Sequence, residues 1–215
     1  TGTNTGCPAT DQRGVTRPFG SKCDMGAYEV NKATAIYKSI AANDGWVLES
    51  TATSNMGGTF NSAATTFNLG DTASKQQYRA ILHFDTSSLP DNAVITSVTL
   101  KIRKSAGGSG NTATLGKLLV DIRKPSFGTA VLAKTDFQAT GTSGAGIFGA
   151  PVSNWYSAVL TAIGRNNINK TGTTQFRLRF TKGDDADALA DFLLFYSGNS
   201  GAANRPQLII QYYVP

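Results

Sequence analysis

"SSLPDNAVITSVTLKIRKS", residues 87–105, is the stretch that decides the fold. Pro90-Asp91-Asn92 turns the chain: proline presets one backbone angle, and Asp and Asn close turns with their own side chains. Val98, Leu100 and Ile102 then alternate with Thr99, Lys101 and Arg103. A period of two puts the apolar set on one face and the polar set on the other, the pattern of a half-buried antiparallel strand.

The same period recurs on both sides. In "YRAILHFD" (78–85), Ala80, Leu82 and Phe84 share one face, while Arg79, Ile81 and His83 share the other. In "LLVDIRK" (118–124), Leu118, Val120 and Ile122 point inward. Further strands are expected at 33–39, 46–50, 65–70, 174–182, 191–197 and 206–213. Between them, "TATSNMGGTFNSA" (51–63) and residues 125–153 read as Gly-rich loops. "WYSAVLTAIGRN" (155–166) is the one helix candidate, with Asn154 as its cap, Val159, Leu160 and Ile163 as its apolar stripe, and Gly164 as its stop. About nine strands without a βαβ rhythm predict an all-β fold, an antiparallel jelly-roll sandwich with one short helix and an N-terminal extension. The organisation expected is a connector over residues 1–43 and a sandwich over 44–215.

Composition agrees. The 215 residues hold 23 glycines and only 2 methionines, and they are rich in Thr, Ser and Asn, which suits strands and turns. Twenty Lys and Arg against fourteen Asp and Glu give a charge of +6. No nucleic-acid-reading motif accompanies that charge, so nucleic acid is not expected as a partner, and an acidic polysaccharide fits better. No run of 18 apolar residues is present, and no membrane insertion is expected. The chain begins at Thr1 without an apolar leader and reads as a processed product or part of something longer.

Cys7 and Cys23 are the only cysteines. Two thiols alone do not make a structural zinc site, and their spacing is not that of a redox motif, so a disulfide stapling the Pro- and Gly-rich leader is the better reading. Such a bond persists outside the cytosol, which predicts a secreted or cell-surface protein.

Two resemblances follow from these stretches. The leader "CPATDQRGVTRPFGSKCDMGAYE" (7–29) resembles the closing segment of right-handed parallel β-helix regions of the choice-of-anchor type in bacterial surface proteins, with Met25 where isoleucine is usual. Residues 44–214 resemble the DNRLRE, or disaggregatase-related, β-sandwich. The carriers are "YRAILHFDTSSLPDNAVITSVTLKIRKS" (78–105) and "GNSGAANRPQLIIQYY" (198–213), with His83 where a basic residue is common. This second resemblance implies an extracellular jelly roll, similar to carbohydrate-binding modules and not itself an enzyme.

The chemistry-bearing residues are few. His83 is the only histidine, no nucleophile motif accompanies it, and no enzyme is expected. Asp184, Asp185, Asp187 and Asp191 cluster in "KGDDADALAD" (182–191), where hard oxygen ligands would suit calcium. The alternative is a solvated acidic turn, since the spacing is not that of an EF-hand. Lys101, Arg103, Arg123, Arg177 and Arg179 all occupy outward strand positions. On neighbouring strands they would form a basic stripe for uronate or sulfate groups; otherwise they serve strand solubility. Trp155 and Tyr156 are candidates for stacking on sugar rings, with core filling as the alternative.

Two functions are therefore expected. In the first, the chain is a structural or adhesive subunit of a surface filament. A strand carrying Ala33, Ala35, Ile36, Tyr37 and Ile40 joins copies head to tail by strand addition. In the second, it is a carbohydrate-binding module for an acidic polysaccharide.

Overall fold

The computed structural model describes residues 4–18, 21–23, 26 and 32–215. The alternation at 94–103 is a strand, and its neighbours generate a two-layer antiparallel sandwich. In chain order the strands are β1 (Lys32–Lys38), β2 (Gly45–Glu49), β3 (Gly57–Asn61), β4 (Thr66–Asp71), β5 (Gln77–Asp85), β6 (Val94–Arg103), β7 (Leu118–Arg123), β8 (Thr142–Ile147), β9 (Trp155–Val159), β10 (Thr173–Phe180), β11 (Phe192–Tyr196) and β12 (Gln207–Tyr213). The small sheet runs β1-β12-β6-β9, and the large one runs β11-β4-β5-β10-β7-β8 with β2 and β3 attached through β5. Without the inserted β2, β3, β4 and β11, the remaining eight strands in chain order lie first-eighth-third-sixth in the small sheet. In the large sheet they lie second-seventh-fourth-fifth. That permutation is the jelly roll, two Greek keys folded over one another.

The period-two faces meet in the middle. Ala80, Leu82 and Phe84 of β5 and Phe176 and Leu178 of β10 face Leu100 and Ile102 of β6 and Leu208 and Ile210 of β12. All nine are fully buried. Each large one contributes on the order of 1.5–3 kcal/mol by leaving water. Phe84 and Phe176 meet edge to face at 5.7 Å, and Tyr156 meets Phe195 likewise at 5.2 Å.

A second, smaller core lies on the outer face of the large sheet. Val47 and Ile81 are covered there by Phe127, Leu132 and Phe137 from the connection between β7 and β8. This cover is why so many of the polar side chains on that face are buried.

The expected strands are present, and three stretches differ. Residues 57–61 and 142–147, read as loops, are β3 and β8, Gly-rich strands whose hydrogen-bonding partners outweigh weak local propensity. The helix expected over 155–166 is β9 followed by a one-turn helix, α1 (Ala162–Asn166). Pairing with β6 wins over the helical stripe, because it places Tyr156 and Ala158 against the core. Asn154 is a turn residue with φ of 68°. The cap of α1 is Thr161, whose hydroxyl accepts from the Gly164 N–H, and Gly164 sits inside the helix rather than after it.

The leader carries the expected disulfide between Cys7 and Cys23, with Cα atoms 6.1 Å apart. Asp11 organises the loop by accepting from the N–H groups of Arg13 and Val15 while pairing with the Arg13 guanidinium. Asn4 bridges to the second cysteine, donating to the Ser21 carbonyl and accepting from the Cys23 N–H. The end of the β-helix-like motif, residues 24–25 and 27–29, lies outside the described residues.

Candidate ligand-binding face

The five cations that would form one stripe on neighbouring strands lie on two different faces. Lys101 and Arg103 are on β6 of the small sheet, whereas Arg123, Arg177 and Arg179 belong to the large sheet. All five alternate with core-facing neighbours, but sheet membership is a tertiary property and divides them.

On the large sheet one of the three arginines holds the cover down, and a second shares its carboxylate partner on β7. Arg177 is buried, and its guanidinium pairs with Asp121 at 3.0 Å. It also donates to the carbonyls of Asp136, Phe137 and Ala139. Arg179 shares Asp121 at 3.1 Å. Arg79 donates to the Phe137 carbonyl and lies 3.8 Å over the Phe137 ring. His83 is buried beside them, its Nδ1 3.0 Å from Gln175 Nε2, and burial lowers its pKa, so the ring is neutral near pH 7. Arg123, at the end of β7, stays exposed.

The small sheet presents a different surface. Cross-strand register aligns Lys38 of β1, Gln207 of β12, Lys101 of β6 and Ser157 of β9 in one row on its outer face. The adjoining row pairs Arg103 with Trp155. The Lys101 ammonium lies 5.2 Å and the Arg103 guanidinium 5.9 Å from the Trp155 ring centre, within cation–π range. Arg205 stands close enough to Lys38 to lower the lysine's pKa, after burial and together with Lys101. Beyond Trp155 the face runs into a cleft of about 490 Å³ lined by Arg103, Lys104, Gly107, Asn154, Tyr196 and Asn204. Arg103 donates to the Asn204 side-chain oxygen there.

Among the described residues, no carboxylate lies within ion-pair distance of Lys38, Lys101, Arg103, Lys104 or Arg205. Lys101 and Arg103 beside the Trp155 ring, with Lys104 in the adjoining cleft and Lys38 beside Lys101 and Arg205, form a surface on which an anionic, ring-containing ligand gains charge-assisted hydrogen bonds and a stacking contact. Tyr156 takes no part, since it points inward against Phe195. Lys38, Lys104 and Arg205 escaped the sequence reading. Lys38 sits on a strand assigned to assembly, and the other two lie in connections whose position no periodicity reveals.

The acidic turn also takes shape. Carboxylate oxygens of Asp185, Asp187 and Asp191 lie within 4.8 Å of one another, so this partly buried cluster could hold a metal ion. Asp191 donates its N–H to Asp71 Oδ1. Asp71 is buried, and its carboxyl is pushed up to about 6, first by burial and then by Asp185, Asp191 and Asp184. Gly70 lets the two chains meet there: at φ of 134°, a Cβ would fall 1.9 Å from the Asp191 carbonyl oxygen. Asp184 is absent from the set of three and instead lines a cleft with Arg79 and Arg179.

The strand expected to assemble copies is β1, and here it pairs with β12 of its own chain, from Lys32↔Tyr213 to Lys38↔Gln207. Ala35 and Tyr37 pack toward the core, Ala33 is half-buried, and Ile36 is 59 % exposed. Ile40 follows the strand and donates its N–H to the His83 carbonyl.

The disulfide points to an extracellular environment, and among the described residues no helix is long and apolar enough to cross a membrane. No family model matches this chain, and no curated protein matches it either. The class established for it is the all-β, two-sheet antiparallel sandwich.

Proposed function

We propose that the protein is a secreted or cell-surface sandwich that binds an acidic polysaccharide on the outer face of its small sheet. The observation that carries this is the cationic platform of Lys101 and Arg103 beside Trp155, extended by Lys38, Lys104 and Arg205, with no carboxylate in ion-pair reach among the described residues. The likeness of residues 78–105 and 198–213 to the DNRLRE sandwich, itself similar to carbohydrate-binding modules, supports the same reading. In it Trp155 stacks on a sugar ring, Lys101 and Arg103 meet carboxylate or sulfate groups, and the cleft past Asn204 receives the neighbouring residue of the chain.

The test is binding to polygalacturonate, to a sulfated glycan and to a neutral glucan, measured at two salt concentrations. The acidic polymers are expected to bind, more weakly at higher salt. Lys101→Ala with Arg103→Ala is expected to lose at least about tenfold in affinity, because hydrogen bonds to charged groups are worth about 1.5–3 kcal/mol each. Equal binding of the neutral glucan, or acidic binding untouched by the double substitution, would sink the reading.

We further read the Asp185, Asp187 and Asp191 cluster as a structural calcium site that ties the turn to the start of β11, where the Asp191 N–H already bonds Asp71 at the end of β4. Three hard carboxylate oxygens within 4.8 Å suit an ion that holds oxygen ligands at about 2.3–2.6 Å.

A further inference from the structure

β1 is the first strand of the roll, and residues 39–44 carry the chain from it across to β2. This crossover is fastened at both ends. The Ser39 N–H donates to the Pro206 carbonyl at 3.1 Å and the Ile40 N–H to the His83 carbonyl at 2.9 Å. Asp44 is completely buried and accepts from the His83 N–H at 2.7 Å through Oδ1. Its Oδ2 and the buried Ser39 Oγ make no hydrogen bond of good geometry, two of four such atoms among the described residues. Gly198 closes the pocket so tightly that a Cβ there would come 2.8 Å from Asp44 Oδ2. A completely buried carboxylate with one well-aligned donor, and with the Ser39 hydroxyl and Gly198 N–H near but poorly aligned, destabilises the docked crossover and is relieved when the segment opens to water.

The strand beyond this crossover puts little into the core. Its inward side chains are Ala33, Ala35 and Tyr37, none of them fully buried, and Ile36 is mostly exposed. What holds it is mainly the register with β12, with the Tyr37 hydroxyl 3.1 Å from that of Ser88, and a second copy of the chain carries the identical strand. An edge that fits its own β1 fits another copy's equally well, and exchange of an identical element is a low-cost route to association.

We propose that β1 is an exchangeable strand, which leaves its own β12 edge and docks in the same register on β12 of a second copy, with residues 39–44 as hinge and Asp44 as latch. Reciprocal exchange closes a dimer, and one-way exchange opens a chain of copies. The proposal does not depend on the glycan reading, although exchange rebuilds that face with Lys38 from the other copy.

Several groups face the latch. Arg205 draws the Asp44 carboxyl down, as do the nearby Ser39 hydroxyl and the N–H groups of His83 and Gly198. The His83 ring is neutral through burial, with Asp85 opposing that shift. Burial of Asp44 outweighs them all and pushes its carboxyl up to about 7. Above that pH the docked hinge holds a buried charge, so the hinge opens more readily at about pH 8 than at about pH 5.5.

Thr34 and Gln211 are direct cross-strand partners and both exposed, which provides the trap. Chains carrying only Thr34→Cys are mixed with chains carrying only Gln211→Cys, with Cys7–Cys23 intact, and oxidised. Exchange predicts covalent heterodimers in several-fold excess over Thr34→Cys homodimers. It also predicts a larger excess at about pH 8 than at about pH 5.5, beyond that seen for the same pair carrying Asp44→Asn, whose latch stays neutral. Heterodimers no commoner than homodimers at either pH would overturn the exchange, and an unchanged pH dependence with Asp44→Asn would overturn the latch. Light scattering on the unmodified chain needs no variant. Association that grows from about pH 5.5 to about pH 8 supports the proposal, and a monomer at both, at high concentration, refutes it.

Discussion

Arg177 and Lys101 make the residue-scale case. Both are basic, both alternate with apolar neighbours, and both point away from the main core, yet one is buried under a loop and the other faces solvent. Arg177 satisfies Asp121 and three carbonyls at once, so Arg177→Ala takes their donor from the Asp136 and Ala139 carbonyls, while Arg79 still reaches that of Phe137. Arg179 still holds Asp121, which keeps the cost near the lower end of the range for broken buried pairs, about 3 kcal/mol. For a chain of this length, that is a drop in Tm of roughly 6–12 °C. Lys101→Ala should change stability by about 0.5 kcal/mol or less, because it forms no ion pair with a described residue and its one contact of note is the exposed approach to Trp155. Thermal melts of the two variants side by side check both figures; equal effects would mean that the arginine does not clamp the cover.

At the scale of elements, the turn between β10 and β11 is the informative one. It joins an acidic segment to strands that meet at Gly70, where only a residue without a side chain allows the approach. If calcium occupies Asp185, Asp187 and Asp191, it binds the folded state alone. At a hundred times Kd it adds about 2.7 kcal/mol, or roughly 5–10 °C in Tm. Calorimetry with calcium, with EDTA, and on Asp191→Asn should show that rise, its reversal and its loss. A midpoint indifferent to millimolar calcium would leave the cluster as a solvated acidic turn. The helix expected at 155–166 belongs to this scale as well: Val159, Leu160 and Ile163 do lie at helical spacing. A strand that supplies Tyr156 and Ala158 to the core buries more than a lone helix in that place would.

For the whole molecule, buried carboxyls set the response to pH. Asp44 is raised to about 7 and Asp71 and Asp136 to about 6, each mainly by burial. A raised carboxyl binds its proton more tightly in the folded chain than in the unfolded one. Its stabilisation is therefore full below about pH 4 and is lost as pH rises through the folded value. Buried His83 works in the opposite sense below its ordinary pKa, one group against three. Asp85 and Asp185 are lowered and act only in more acid solution. The Tm measured in EDTA is thus expected to fall between about pH 5 and about pH 7, and Asp44→Asn should flatten the upper part of that fall. A Tm that climbs over this interval would contradict the burial of these carboxyls.

What the sequence by itself determined was local: strand parity, the turns, the disulfide partner and the sandwich class. Each is written in neighbouring residues, and the jelly roll follows from many short alternating strands. Which strands share a sheet is set by contacts between distant segments, and only the tertiary structure decided it. That assignment divided the predicted basic stripe and sent Arg177 beneath a loop. It also gathered Lys38, Lys101 and Arg205 from three separate parts of the chain, with Lys101 beside Trp155. Gly-rich β3 and β8 and the short β9 were illegible for the same reason, since their hydrogen bonds lie with partners far along the chain.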